Sequence, residues 1–350
     1  MPITQGNITV HLGPAEQGGN DSLVDPIVAF IDRAKSRQKL MIAVQEIDHR
    51  PIAEAIVRAR QRKVSVDVVI EQSYLLEKKV PVDAFTPGGP HEINRELYNA
   101  ILRSTADIKS DFNSDIFHQK FMVLGNRVLT GSTNFTTTGI TKNLNHVVEI
   151  NSAGVANAYK REFREIQKGR FGRDSIDFDE KPKEVQVSWM RVKPLFAPDH
   201  APEMEIMKQV LKAKTRIDFA VFTFAQSSGI DDALIAAHER GVQVNGVLDR
   251  RMSNQKWAAK KPLVDAGVMI HVAGNKGGLG KLHHKLMTID DKVSIFGSFN
   301  YTGPANRSND ENILIVGDLE ETKATAKSRQ ASIAKACRKE IDRIRSEFGS

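Results

Sequence analysis

The feature that most constrains this chain is that its sequence is written twice. A helical pattern over 26–35 leads into the apolar run Leu40-Met-Ile-Ala-Val44. A second helical stretch over 52–62 then leads into Val64-Ser-Val-Asp-Val-Val-Ile70, which has strand character. The same order returns later: helix over 204–214, strand over 217–222, helix over 231–240 and strand over 242–248, with Arg62-Lys-Val-Ser-Val66 matched by Arg240-Gly-Val-Gln-Val244. Leu102 to Ile108 corresponds to Leu263 to Val268, and each copy closes with an apolar strand (147–150 and 313–316) followed by a basic helix. A chain repeated on this scale folds as two copies of one unit. Strands alternating with helices make each copy an α/β layer structure with mixed or parallel sheets. The copies are expected over 1–168 and 186–350. The stretch 169–185, polar and rich in charge, Gly and Pro, reads as a linker. Its acidic residues Asp174, Asp177, Asp179 and Glu180 read as a solvated linker rather than a metal site.

The repeat carries chemistry. His118-Gln-Lys120 in the first copy answers His283-His-Lys285 in the second, and Gly131-Ser-Thr-Asn134 answers Gly297-Ser-Phe-Asn300. Residues i and i+2 of a strand share a face, so each His and its Lys can look into one pocket, while His284 points away. The asparagines Asn134 and Asn300 and the hydroxyls of Ser132 and Ser298 can donate to a phosphoryl oxygen. The glycines allow close backbone approach.

The pattern His-x-Lys, with Asp290 five residues after Lys285 and a Gly-Ser-x-Asn beyond it, resembles the phospholipase D superfamily, over nearly the whole chain and in two copies. The resemblance implies an α/β fold of two tandem α/β/α repeats related by a pseudo-twofold axis, with the active site between them. It also implies phosphodiester cleavage with no metal and no cofactor: one imidazole attacks phosphorus to form a phosphohistidine, and the other protonates the leaving oxygen and then deprotonates water. The lysines and asparagines would stabilise the equatorial oxygens. By the same resemblance His118 is the nucleophile and His283 the acid.

The first copy departs from the pattern twice. Gly125 stands where the second copy has Asp290, and Asn145 stands where it has Glu311, each eleven residues after the motif asparagine. A carboxylate beside a His fixes its tautomer and raises its pKa. If Glu311 touches either catalytic His, the two imidazoles are not equivalent; the sequence leaves open which one. Asp290 is expected to support a loop. His49, His91, His146 and His271 have no motif context, and Trp189 and Trp257 read as packing. An insertion marked by Thr86-Pro-Gly-Gly-Pro90 enlarges the first copy before His118.

The motif names the reaction and not the substrate. Fifty basic against forty-three acidic residues give a net charge of +7, which favours a polyanion. The preferred reading is a nuclease acting on the phosphate backbone of DNA or RNA. The alternatives are a lipid phosphodiesterase or phosphatidyl transferase, with Leu75, Leu76, Phe85 or the run Val221-Phe-Thr-Phe224 as candidate apolar rim, and an inactive nucleic-acid-binding module. Cys337 is the single cysteine, so no intrachain disulfide framework exists. No apolar run is long enough to span a membrane and no secretory signal is evident, so a cytoplasmic location is expected. Two motif copies in one chain make a monomer sufficient for the site. The helix over 323–345, with Ile333, Ala336, Ile341 and Ile344 on one face, is expected to cover a sheet.

Overall fold

The computed structural model describes residues 1–77, 79–176 and 180–350. Asp177 and Asp179 of the stretch between the copies lie outside these residues. The strands, in chain order, are β1 (Ile3–Gln5), β2 (Ile8–Gly13), β3 (Lys39–Val44), β4 (Ser65–Ile70), β5 (Asp107–Ser110), β6 (Lys120–Leu124), β7 (Arg127–Gly131), β8 (Asn143–Asn151), β9 (Val185–Val187), β10 (Met190–Ala197), β11 (Arg216–Val221), β12 (Gln243–Asp249), β13 (Met269–Ala273), β14 (Lys281–Leu282), β15 (Lys285–Ile289), β16 (Val293–Gly297) and β17 (Glu311–Val316). The helices are α1 (Val24–Asp32), α2 (Arg50–Gln61), α3 (Glu92–Arg103), α4 (Thr137–Thr141), α5 (Ala153–Gln167), α6 (Pro202–Lys212), α7 (Ile230–Glu239), α8 (Arg250–Ser253), α9 (Lys260–Asp265), α10 (Gly303–Arg307) and α11 (Ala324–Phe348).

The two copies build two mixed sheets of the same plan. The first runs β1-β2-β8-β7-β6-β3-β4-β5 and the second β13-β12-β11-β15-β16-β17-β10-β9. In each, the strands that carry the repeated helices are parallel (β3 with β4, β11 with β12), and the motif strand joins them antiparallel (β6 on β3, β15 on β11). Both faces of each sheet are covered, which is why these strands read as nearly unbroken apolar runs. One face of the first sheet packs its Leu40, Ile42, Val66 and Val68 against α1 and α2. The second sheet packs Ile217, Phe219, Val244 and Leu248 against α6 and α7 in the same way. The inner faces meet in a third cluster that draws on both copies, including Phe121, Tyr159 and Phe163 from the first and Phe196, Leu286 and Phe296 from the second. Helices α5 and α11 lie in this central layer; α5 touches β7 of its own sheet and β10 of the other.

The copies are also stitched by backbone. Strand β14 leaves its own sheet and pairs parallel with β8 of the first, Leu282 beside Leu144. The reciprocal bridge joins Phe117 to Asp310. The stretch expected to be a solvated linker is anchored at its start: Phe171 is buried against Phe112 and Phe117, and Gly172 donates its N–H to Asp310. An aromatic one residue past the basic turn keeps this segment on the core. The C-terminal helix does cover a sheet. Ile333, Ile341 and Ile344 are buried as expected, but Ala334 and Cys337 complete the apolar face and Ala336 is only half-buried.

Candidate active site

Each motif strand begins at the edge where the parallel strands end, the end of an open α/β sheet at which ligands bind. His118 and His283 sit immediately before β6 and β15, and each is fixed by the opposite copy. The His118 N–H donates to Asp310 O at 3.0 Å, and the His283 N–H donates to Leu144 O at 2.9 Å. The residue before each His is held as well. Glu71 Oε2 accepts the Phe117 N–H at 2.7 Å, and Asp249 Oδ2 accepts the Leu282 N–H at 3.1 Å. Glu71 and Asp249 were not singled out from the sequence. The signal was present, because each follows the last residue of the second apolar strand in its copy.

The side chains then cross between the copies. His118 Nδ1 lies 2.7 Å from Glu311 Oε2, and His283 Nδ1 lies 2.9 Å from Asn145 Oδ1. The question left open by the sequence is thus answered: Glu311 holds His118, and Asn145 takes the equivalent place beside His283. All four side chains are buried, and the imidazoles are near enough that each copy's lysine acts on the other copy's histidine. Burial, followed by Lys120 and Lys285, holds His118 well below the ordinary imidazole range; burial and the same two lysines do so for His283. Burial raises Glu311 to about 8, against the pull of Lys120.

The lysines face the same space. Lys120 Nζ donates to His118 O at 2.8 Å and Lys285 Nζ to His283 O at 2.9 Å, so each cation is folded back over its own histidine. Burial lowers Lys120 to about 7, against the pull of Glu311 and Glu46, and burial followed by the charge of Lys120 holds Lys285 well below its usual value. A bound phosphate would reverse that shift. The walls differ between copies. Lys120 reaches Gln45 Oε1 at 3.3 Å, whereas Lys285 lies over the Phe222 ring at 5.0 Å, and that ring leans on His283 at 4.8 Å. Asn134 and Asn300 stand at the pocket, each with a buried Oδ1 that has no hydrogen-bond partner among the described residues. Asn134 Nδ2 donates to Glu46 Oε1 at 2.9 Å, and burial and Asp48 push Glu46 up to about 7. Glu46, a carboxylate inside a phosphate-type pocket, carried no motif.

The serines require a correction. Ser132 and Ser298 were expected to bind phosphate. Instead Ser132 Oγ donates to Asn145 Oδ1 at 2.8 Å and accepts the His146 N–H, and Ser298 Oγ donates to Glu311 Oε2 at 2.6 Å and accepts the Asn312 N–H. Both are fully buried. With the hydroxyl proton already committed, each serine orients the group that orients a histidine. The motif glycines do serve close approach: a Cβ on Gly131 would lie 2.2 Å from His146 O, and one on Gly297 would lie 2.2 Å from Asn312 O. Asp290 lies outside the pocket. Its carboxylate takes the N–H groups of Lys214, Thr215 and Arg216 at 2.8 to 2.9 Å, tying down the loop before β11. Its φ of 53° is matched by Gly125 at 59°, so the first copy keeps the left-handed turn while losing the anchor.

His284 points away from the pocket as alternation requires, but not into incidental packing. His284 Nδ1 meets His146 Nδ1 at 3.1 Å, with the rings stacked at 7°. At the twofold-related place Asn312 Nδ2 donates to Gln119 Oε1 at 2.7 Å. His146 therefore belongs to a layer beneath the motif histidines, and its contact with His284 arises only when the copies meet. Trp189 and Trp257 are exposed rather than packed, Trp189 beneath Lys323.

Sequence comparison agrees with this geometry. The family described as "Cardiolipin synthase, PLD-like domain" matches residues 27–167 and 206–332. The mitochondrial cardiolipin hydrolase of Xenopus laevis is 32% identical over 143 residues, 41% of this chain and 60% of that protein. The phospholipase D of Rickettsia bellii (strain RML369-C) is 34% identical over 135 residues, 39% of this chain and 65% of that protein. The chain thus spans about three-fifths of the length of these relatives. Among solved structures, the phosphatidylserine synthase of Haemophilus influenzae Rd KW20 superposes with a TM-score of 0.65 over 96% of this chain and 88% of that one, at 14% identity, a likeness of fold. With the family unit matched once in each half, and the paired motifs meeting between the sheets, the chain belongs to the phospholipase D superfamily.

Proposed function

We propose that this protein is a metal-independent phosphodiesterase that works through a phosphohistidine, and that its substrate is a strand of nucleic acid. The observation that carries the chemistry is the exchange of partners across the dyad, His118 with Glu311 and His283 with Asn145. In the first step His118 Nε2 forms a bond to phosphorus, the bond to the leaving oxygen breaks, and His283 gives that oxygen its proton. In the second, His283 takes a proton from water, the water oxygen bonds to phosphorus, and the P–N bond breaks. Glu311 suits His118 to the first role. As a carboxylate it keeps the ring proton on Nδ1, leaves Nε2 free, and offsets the positive charge that the ring gains in the adduct. Asn145 suits His283 to the second. Its amide oxygen also keeps Nδ1 protonated but stabilises the imidazolium less, so the ring yields its proton more readily. Lys120, Lys285, Asn134 and Asn300 would hold the equatorial oxygens.

The nucleic-acid reading is supported by the net charge of +7 and by a cationic mouth on the His283 side. A lipid diester is the second reading. It is favoured by the loop that follows Glu71, on which Leu76, Val80, Val82 and Phe85 are exposed, and by the names of the relatives above. Among the described residues no helix is long and apolar enough to cross a membrane. The test is cleavage of single- and double-stranded DNA and RNA in excess EDTA, alongside phosphatidylcholine and cardiolipin vesicles. EDTA-resistant strand cleavage, lost in both His118→Ala and His283→Ala, is expected. Lipid turnover without strand cleavage would transfer the assignment to the second reading, and salt-dependent binding without turnover of any diester would make the protein an inactive binding module.

A further inference from the structure

Next to His283 opens a cavity of about 370 Å³, within the size range of small-ligand sites, whose walls include Phe222, Asp249, Arg250, Arg251, Asn254 and Lys281. Asp249 also lines it, its carboxylate accepting the N–H groups of Arg251, Met252 and Leu282 and its charge acting on Lys281, so three cations face one carboxylate and the cavity stays net cationic. Arg250, Arg251 and Lys281 form no ion pair among the described residues, and all three are exposed. The cavity shares a wall with the catalytic pocket: Phe222 lies 5.5 Å from the Lys281 ammonium on one side and 4.8 Å from the His283 ring on the other.

The twofold-related place beside His118 has none of this charge. Where the second copy has Arg250-Arg251-Met252 after Asp249, the first has Gln72-Ser73-Tyr74 after Glu71. Where Lys281 stands two residues before His283, Ile116 stands two before His118. Where Phe222-Thr223 follow β11, Gln45-Glu46 follow β3 in the first copy, with Asp48 beyond. The folds match and the charges do not, so the site has one cationic mouth and one neutral-to-acidic mouth.

In an in-line displacement the leaving group departs opposite the nucleophile, on the side of the acid. We infer that Arg250, Arg251 and Lys281 form a subsite for a second phosphate, carried by the leaving alcohol. This rests on the roles proposed above and makes the substrate directional: the next phosphate of a nucleic-acid strand is gripped on the departing side only. Arginine suits such a place because its planar fork matches phosphate oxygens.

The test compares dTpdT with pdTpdT and dTpdTp, using the full chain at fixed ionic strength. The product that lacks the scissile phosphate identifies the leaving nucleoside. The isomer with its extra phosphate on that nucleoside should show a KM about tenfold below that of dTpdT, as a charge-assisted contact of ordinary strength gives, and the other isomer should not. Arg250→Ala/Arg251→Ala should erase this gain, and Lys281→Ala should reduce it. Bis(p-nitrophenyl) phosphate, whose leaving group bears no phosphate, serves as the reference for folding and chemistry. A gain that survives in the double variant, a gain confined to the retained-side isomer, or an equal loss on bis(p-nitrophenyl) phosphate would overturn the subsite. If bis(p-nitrophenyl) phosphate is cleaved but no nucleotide is, the nucleic-acid reading fails by itself. The comparison then moves to vesicles of cardiolipin, whose leaving alcohol carries a phosphate, against phosphatidylglycerol, whose leaving glycerol does not. Loss of a cardiolipin preference in the double variant would keep the subsite, and no preference to lose would end it.

Discussion

The two copies place their motif histidines almost identically and partner them differently. Each imidazole presents Nδ1 to the opposite copy, at 2.7 Å to Glu311 and at 2.9 Å to Asn145. Each partner is braced by the motif serine of its own copy. Asn145 cannot turn its amide around, because Nδ2 already donates to Gly139 O at 2.9 Å. Its oxygen must therefore face His283, and the ring proton must sit on Nδ1. The scaffold delivers the same tautomer on both sides, and the partner of His118 can carry a negative charge that the partner of His283 cannot. On the roles proposed above, a duplicated fold can thus separate a nucleophile from an acid without moving either one.

The most severe way to break this comparison is to remove a ring. His118→Ala and His283→Ala should each lower the rate by about 10² to 10⁴, on the order of 2.7–5.5 kcal/mol. The two losses should differ in kind. A covalent phosphoenzyme trapped by rapid denaturation at alkaline pH, where a P–N bond survives, should form in His283→Ala with an activated leaving group and be absent in His118→Ala. The reverse pattern would exchange the roles, and with them the side on which a leaving group sits.

Glu311→Gln removes the charge and keeps the shape. Burial puts Glu311 at about 8, so in the free enzyme the carboxylate form that readies His118 is gained as pH rises towards 8. In Glu311→Gln the limb of the kcat/KM profile that Glu311 contributes should disappear and the maximum should fall by about 10² to 10³, the usual cost of a lost electrostatic contact in a buried site. A full rate with an unchanged profile would show that the carboxylate is not what distinguishes the copies.

Much of this was legible before any coordinates, for a physical reason. The repeat, the strands and the motif residues are local: a two-residue period or a fixed spacing shows in one chain segment. What the sequence could not show depends on how the copies dock. Glu311 was visible as a carboxylate, but its partner was not. Ser132 and Ser298 looked like phosphate donors because a hydroxyl beside an asparagine fits that role, and only the cross-copy contact shows the proton already spent. Strand β14 is too short to read, and its register is set entirely by β8. Phe171 anchors the start of the stretch between the copies, a contact that no local pattern in a run of charged residues reveals.

Asn145→Asp sharpens the comparison from the other side by giving His283 the partner that His118 has. A carboxylate there raises the pKa of His283, so the ring stays protonated to higher pH and the alkaline limb of the rate profile should move up, by about one unit for an ordinary neighbouring charge. The rate at the optimum should change less than tenfold, since geometry and tautomer are kept. An unmoved limb would mean that His283 is not the group lost on that side.

The smallest effect on activity is expected one layer down, where the copies differ again. The first copy's Gln119 meets Asn312 as an amide pair, and at the related place His284 meets His146. The Gly297 N–H donates to His146 Nε2 at 3.1 Å, so His146 carries its proton on Nδ1 and gives it to His284 Nδ1, which leaves the His284 Nε2–H 3.9 Å from Glu340. Neither ring has room for a second proton, and burial holds both below the free value of 6.5. As pH falls through 6.5 the unfolded chain takes up protons that the folded one refuses. The stability these rings contribute is whole above 6.5 and is lost below it, by at most about 1.4 kcal/mol each at one unit lower. The amide pair has no such dependence. His146→Asn with His284→Gln, which copies the first half's solution into the second, should therefore narrow the drop in Tm between pH 7.5 and pH 5.5 while leaving kcat near its starting value. An equal drop in the variant and the parent would mean that acid sensitivity resides in the other histidines that burial depresses, His118 and His283 among them, and the difference between the layers would then be one of packing alone.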